Sequence, residues 1–306
     1  MILIIRVLAI TSFLFMLIEN GKIMAQSTPL VSFIPPPEES ELQKEKNRYI
    51  KTLDSLLLED RYRIIIDLGE RLTMDREHEI SQIPVPYLIC AYYFIGNEER
   101  SKKLLNERIN KQDYKALVDL LTSSEIAFIK YFSVPKNREP IIKKVIQDYK
   151  SNEKATDKLA GEQIIRFSIN DQIYRKLKYA FKENDKVNQA KAFQEFKFQD
   201  SIQNAQVYAF YKKQGKYLSA KEVGETVCWY QPIILCHYDN IELRQTFFKD
   251  LLGKAVKEGS MEKTNYVHFL LRTESFTNPD FFKNLDQRVS EVRKEYDLPD
   301  YLWNPF

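Results

Sequence analysis

The sequence predicts an all-α protein, on three observations. Apolar residues recur at spacings of three and four along almost the whole chain after residue 41, the period of helices that bury one face. Glycine is scarce, at 8 of 306 residues, which leaves few sites for the φ > 0 turns that join β-hairpins. No alternating run of β-branched residues reaches the length of a strand.

The N-terminus departs from this pattern. "MILIIRVLAITSFLFMLIENGKIMAQS" sets Arg6 before an apolar run from Val7 to Ile18 and closes a short polar region on "IMA-Q". That is the layout of a secretory signal peptide cleaved after Ala25, and it predicts a periplasmic or extracellular location. The run is about a dozen residues, short for a bilayer span. Counting the apolar residues before Arg6 lengthens it, so an uncleaved N-terminal membrane anchor is the alternative. No cysteine sits near the cut, which excludes a lipoprotein. The expected organisation is a signal peptide over 1–25, a proline-rich linker over 26–41, helical hairpins over 42–152 and a helical domain over 155–306. The linker holds three consecutive prolines, which cannot join a helix interior.

The elements follow in order. Leu42, Tyr49, Leu53, Leu56 and Leu57 form one helical stripe, and Ile64, Ile65, Leu68 and Leu72 the next. "PVPYLICAYYFIGN" begins with proline where a first helical turn tolerates it and stops at Gly96-Asn97. "EERSKKLLNERI" resumes at once, and short helices follow at "DYKALVDLL", "SEIAFIKYF" and "EPIIKKVIQDYK". In the second half Ile165, Ile169, Ile173, Leu177 and Phe181 run at spacing four. Phe193, Phe196, Ile202, Ala205 and Phe210 make another long pattern, closed by Lys212, Lys213 and Gly215, the signature of a helix C-terminus. "SAKE" at 219–222 is a capping box and opens a helix that Pro232 should kink or break near Trp229. "DNIELRQTFFKDLLGKAVKEG" is a helix ended by Gly259. The last helix is expected to start with Asn278 as cap and Pro279 just inside. The closing "DYLWNPF" is aromatic and is expected to pack back on the domain, with a docked partner as the alternative.

Composition narrows the function classes. Hydrophobic residues are 44% and charged residues 29%, an ordinary globular balance. The net charge is +3 with both signs mixed throughout, so no basic face suggests nucleic acid. The three cysteines are an odd number and carry no C-x-x-C, and Cys228 and Cys236 are too far apart on one straight helix to bridge, so all three are expected to be free buried thiols. There is no H-x-x-x-H, no H-E-x-x-H and no glycine-rich phosphate loop, so no metal and no cofactor are expected. His78 lies in a charged stretch and reads as a solvated loop residue.

Two resemblances are carried by named residues. Ala91, Tyr92 and Gly96, with Leu104 and Leu105 across the turn, make residues 83–109 resemble a tetratricopeptide-type helical pair, although no 34-residue period repeats it. Residues 160–272 resemble a bacterial domain family of unknown function. "NDQIYRK" supplies Asp171, Gln172 and Arg175; "QDSIQNAQ" supplies Asp200 and Asn204; "KQGKYLSAKEVGE" supplies Gly215, Tyr217, Val223 and Gly224; "LCHYD" supplies His237; and "LLRTESF" supplies Arg272. Leu271 stands where the family has aspartate, and the family's Y-G-T-Q ending is missing. The resemblance implies a family and no activity.

Asp171, Gln172, Arg175, Asp200, Asn204, Tyr217, His237 and Arg272 are therefore the candidate polar cluster. Asp171 and Arg175, four apart, can pair on one helix. His237, at the end of an apolar helix, is expected to brace a helix junction with Asp171 or Asp200 as partner and to be favoured as imidazolium by the helix dipole. The function expected is an exported interaction or structural module that takes another protein or peptide, with no stable membrane span after cleavage. The alternative is a small-molecule binder or hydrolase-type enzyme using Asp171, Arg175, His237 and Arg272.

Overall fold

The computed structural model describes residues 40–74, 78–182 and 184–298. The expected signal peptide, nearly all of the proline-rich linker and the closing aromatic stretch lie outside the described residues. Within them every regular element is helical and no strand occurs, so the fold is all-α.

The first half is a succession of helices joined by short connections. α1 (Glu41–Leu58) starts on Ser40, whose side chain accepts from the Gln43 amide, and buries Leu53 and Leu57. α2 (Tyr62–Thr73) buries Ile65 and Leu72 but leaves Ile64 exposed. His78 opens a four-residue helix, α3 (His78–Ser81), where a loop was expected. α4 (Val85–Phe94) is buried along nearly its whole length and stops where Gly96 takes φ +88°. α5 (Glu98–Ile109) turns back on it, capped by Asn97. The buried Ser101 hydroxyl donates to the Ile89 carbonyl at 2.7 Å, tying α5 to α4.

α6 (Tyr114–Leu121), α7 (Ile126–Phe132) and α8 (Pro135–Asn152) complete this half. α8 begins at Pro135, a turn earlier than the apolar pattern indicates, because proline suits the first helical turn. Buried Arg138 donates to the Phe132 and Ser133 carbonyls, at 3.2 and 3.0 Å, and so caps the C-terminus of α7. Its other nitrogen donates to the Tyr174 hydroxyl at 2.6 Å, which reaches into the second half.

α9 (Lys158–Lys176) buries Ile165, Ile169 and Ile173 as the spacing requires. Its continuation, Leu177–Ala180, tightens into a 3-10 turn, so Phe181 falls outside the helix. Gly161 sits under the Tyr149 ring, whose hydroxyl donates to the Val223 carbonyl at 2.8 Å; a Cβ at 161 would collide with that hydroxyl. α10 (Lys186–Gln214) ends on Gly215 at φ +67°, as its basic last turn predicts. Its expected stripe is corrected: Phe210 is buried, whereas Phe193 and Ile202 are exposed.

The "SAKE" box forms, with Glu222 accepting from both the amide and the hydroxyl of Ser219 at 2.9 Å. The helix it opens does not run on to Trp229, however. It ends after one turn, α11 (Ala220–Val223), because Gly224 adopts φ +87°. α12 (Glu225–Cys228) and α13 (Tyr230–His237) follow, with the Pro232 break at Trp229 where it was expected. α14 (Ile241–Leu243), capped by Asn240, passes through a π-helical turn (Arg244–Phe248) into α15 (Lys249–Lys257). α16 (Lys263–Thr277) ends at Asn278. Asn278 therefore closes one helix and does not cap the next: a 3-10 turn (Phe281–Asn284) intervenes before α17 (Leu285–Glu295).

One contiguous buried cluster runs from Leu53 through α4, α9 and α13 to Phe269, so α9 packs on α8 and on α13 within the same core. A smaller cluster of Val267, Leu271, Phe281, Val289 and Val292 seats α17 on α16. Cys90, Cys228 and Cys236 are free, and burial pushes Cys90 up to about 12 and Cys236 to about 11, the behaviour of inert core thiols.

Candidate functional site

The polar cluster forms where α9, α10 and α13 meet. Asp171, buried on the inner face of α9, is its centre. Its Oδ1 accepts from Arg175 Nε at 2.7 Å, the i,i+4 pair predicted along the helix. Its Oδ2 accepts from Gln172 Nε2 at 2.8 Å and faces His237 Nδ1 at 2.6 Å. Of the two partners considered for His237, the structure selects Asp171.

Arg175 extends the cluster to the other two helices. One nitrogen donates to Asp200 Oδ1 on α10 at 2.9 Å and to the His237 backbone carbonyl at 3.1 Å. The guanidinium lies over the Phe196 ring, 5.0 Å from its centroid. Asn204, one turn beyond Asp200, donates to Asp200 Oδ2 at 3.3 Å and to Asp239 Oδ1 at 2.7 Å. Asp239, which follows α13, was not among the predicted cluster residues.

Two of the eight predicted residues stand apart. Tyr217 donates to the Cys228 carbonyl at 3.1 Å, beside buried Gln231, and belongs to the packing of α11 to α13. Arg272, on α16, acts on His237 through its charge; its guanidinium rests over Phe276 at 4.7 Å. Leu271 beside it is buried in the smaller apolar cluster, so the position where the related pattern has aspartate serves packing here.

Burial and neighbouring charges shift three groups of the cluster. Burial, aided by the charges of Arg175 and Arg272, lowers the His237 pKa, against the opposing pull of Asp171. The ring Nδ1 lies 2.6 Å from Asp171 Oδ2. Asp171 stays ionised: against the cost of burial, the charges of Arg175 and His237 and the hydrogen bonds from both hold it well below the usual carboxylate range. Asp200 moves the other way. Burial, with the nearby Asp171 and Asp239 charges, pushes its carboxyl up to about 6 despite Arg175.

The reading of single motifs missed the residue that secures this junction. Arg244 is fully buried in the π-helical turn. Its Nη1 donates to the carbonyls of Leu235, Cys236 and Tyr238 at 2.8, 3.1 and 2.8 Å. Nη2 reaches the Phe269 carbonyl at 3.1 Å and Nε the Thr273 hydroxyl at 2.9 Å. The plane stacks on Phe269, 4.3 Å from the ring centroid. The carbonyls of 235, 236, 237 and 238 are thus taken up by two guanidiniums, Arg175 holding that of His237 and Arg244 the rest. Helix C-termini leave such carbonyls without intrahelical partners. A signal for Arg244 existed: it lies on the same face as Phe248, Leu251, Leu252 and Ala255, a charge on an apolar stripe.

Chemically, the arrangement spends its donors and acceptors internally. Among the described residues no three His, Cys, Asp or Glu side chains are placed to hold a metal ion. No described helix is long and apolar enough to cross a membrane. No family model, no curated protein and no solved structure matches the chain.

Proposed function

We propose that this is an exported, all-helical interaction module, related to the bacterial domain family of unknown function that residues 160–272 resemble, and that its polar cluster braces the fold and is not catalytic. The observation that carries the reading is the outer face of α10. In the first 17 residues of this helix only Ala192 is buried, while Val187, Phe193, Phe198 and Ile202 are 66%, 48%, 61% and 41% exposed. An isolated exposed leucine or phenylalanine needs no explanation, but Val187, Phe198 and Ile202 recur at helical spacing on one face of α10 and mark a surface meant to be covered. Lys186, Lys191 and Lys197 flank the row against a single exposed acid, Glu195. The partner that fits is an amphipathic segment of another protein with an apolar stripe and acidic flanks.

The competing reading, a binding or hydrolase-type site built on Asp171, Arg175, His237 and Arg272, is disfavoured by the bonds inside the cluster. Both oxygens of Asp171 and Nδ1 of His237 are engaged with one another or with Arg175 and Gln172.

The test uses the exporting cell. The secreted or periplasmic protein is sequenced from its N-terminus, and a photo-crosslinking residue is placed at Phe198 or, as control, at exposed Lys154. A chain beginning at Gln26 that forms a discrete adduct with a second protein from position 198 alone, weakened by Ile202→Lys, is the expected result. Protein that keeps Met1 in the membrane fraction would replace export with an anchor. Absence of any adduct at 198 would remove the α10 surface from the account.

A further inference from the structure

The three lysines beside the exposed row of α10 are not equivalent. At roughly 100° per residue, Val187, Lys191, Phe198 and Ile202 fall within one sector of about 60°. Lys191 stands between Val187 and Phe198 along the axis and between Phe198 and Ile202 across the face. Lys186 and Lys197 lie well to one side, and Lys197 Nζ rests over the Phe193 ring, 4.7 Å from its centroid. Lys191 is exposed and makes no ion pair among the described residues. Glu195, one turn on, is placed to pair with it but accepts from Gln199 Nε2 at 2.8 Å. Asp185, before the helix, is taken up by Asn188, whose Nδ2 donates to it at 2.7 Å.

We propose that Lys191 is the specificity-determining residue of this surface, and that the partner is an amphipathic helix with a carboxylate inside its apolar stripe, opposite Lys191. The inference rests on the docking surface proposed above and adds where an acid of the partner must stand. The row follows the axis of a single helix, and the shape that packs along such a row is a second helix. From Val187 to Ile202 it spans about 22 Å, roughly four turns. The partner therefore has apolar residues on both sides of the acid.

The selectivity follows from what docking does to the ammonium. A lysine on a flank stays in water when a partner docks, and it acts mainly on association rate and salt dependence. A lysine within the stripe loses its water when Val187, Phe198 and Ile202 are covered. A buried charge without a counter-charge opposes binding, and its own helix offers Lys191 none. A wholly apolar partner face is therefore penalised, a basic one is repelled, and one that supplies a carboxylate at that point is accepted.

The test titrates the full chain into fluorescent synthetic amphipathic helices of about 20 residues, long enough to cover the row. The peptides are identical except at one position in the middle of the apolar stripe, which holds glutamate, glutamine or lysine. The glutamate peptide should bind at least about tenfold more tightly than either of the others. In Lys191→Glu the order of the glutamate and lysine peptides should reverse, whereas Lys186→Glu should leave it unchanged. Both positions are exposed, so the fold is kept. In the exporting cell, the adduct formed from a photo-crosslinking residue at 198 should be lost in Lys191→Met and kept in Lys191→Arg. An unchanged peptide order in Lys191→Glu, or an adduct as strong in Lys191→Met as in the unmodified protein, would mean that Lys191 reaches water at the rim; that overturns its role and leaves the docking surface standing. If no peptide binds and no adduct forms at 198, the surface itself falls, and this inference with it.

Discussion

Replacing Arg244 with methionine should lower the melting temperature by about 10 °C, because each kcal/mol is worth roughly 2–4 °C in a domain of this size. The substitution keeps most of the volume and the stacking on Phe269 but removes all five N–H donors. The carbonyls of Leu235, Cys236, Tyr238 and Phe269 and the hydroxyl of Thr273 then lose their partner in a site with no exposed surface. One buried acceptor left unpaired costs about 1–3 kcal/mol. The five are not additive, since Tyr238 N–H still reaches the Leu235 carbonyl and Thr273 still donates to that of Phe269. A net loss of about 3–5 kcal/mol is the scale on which breaking a buried charged network is felt. Arg244→Lys should fall between, because a single ammonium cannot span from the end of α13 to Phe269 and Thr273. Calorimetric melting of the two variants checks this; a methionine variant within about 2 °C of the unmodified protein, less than one kcal/mol, would mean that water or backbone relaxation satisfies the α13 terminus without the arginine.

How much of this was legible in the sequence differs from residue to residue. Helical spacing identified the elements because an amphipathic stripe is a local property, read within one turn of its neighbours. It did not say which stripes find a partner. Ile165, Ile169 and Ile173 are covered by neighbouring helices, whereas Phe193 and Ile202, part of an equally regular pattern, are exposed. The Asp171–Arg175 pair was legible because both residues lie on one helix, and the brace at His237 because the end of an apolar helix needs one. Which carboxylate His237 would meet depended on how α9 and α10 approach α13, which no local pattern contains. Tyr217 shared a motif with the cluster and turned out to serve another contact, with Cys228. The helix expected from 219, with its break near Trp229, is broken a second time because Gly224 takes a conformation that glycine permits but does not require. Arg244 could be seen as a charge on the stripe of Phe248, Leu251, Leu252 and Ala255, but its acceptors are the carbonyls at the end of α13 and on α16, which no local pattern contains.

The second large effect is expected at the centre of the cluster. Asp171→Ala should destabilise the protein by about 3–5 kcal/mol, the usual consequence of removing one partner from a buried charged network. Arg175 keeps Asp200 and the His237 carbonyl, but its Nε, the Gln172 amide and the His237 ring lose their acceptor together. His237→Ala should cost less, because Asp171 retains Arg175 and Gln172 when the ring is gone. Asp171→Asn isolates the charge from the shape, and its signature is in the pH dependence. The Asp171 carboxyl is held well below the usual range in the fold, so it contributes stability above the ordinary carboxylate value, about 4, and loses it as pH falls below that value. The gap in melting temperature between the unmodified protein and Asp171→Asn should therefore narrow progressively below about pH 4. Melting curves of Asp171→Asn and the unmodified protein across the same buffers check this. A gap for Asp171→Asn that stays unchanged down to pH 3 would show that the buried carboxylate contributes through its hydrogen-bonding shape and not through its charge.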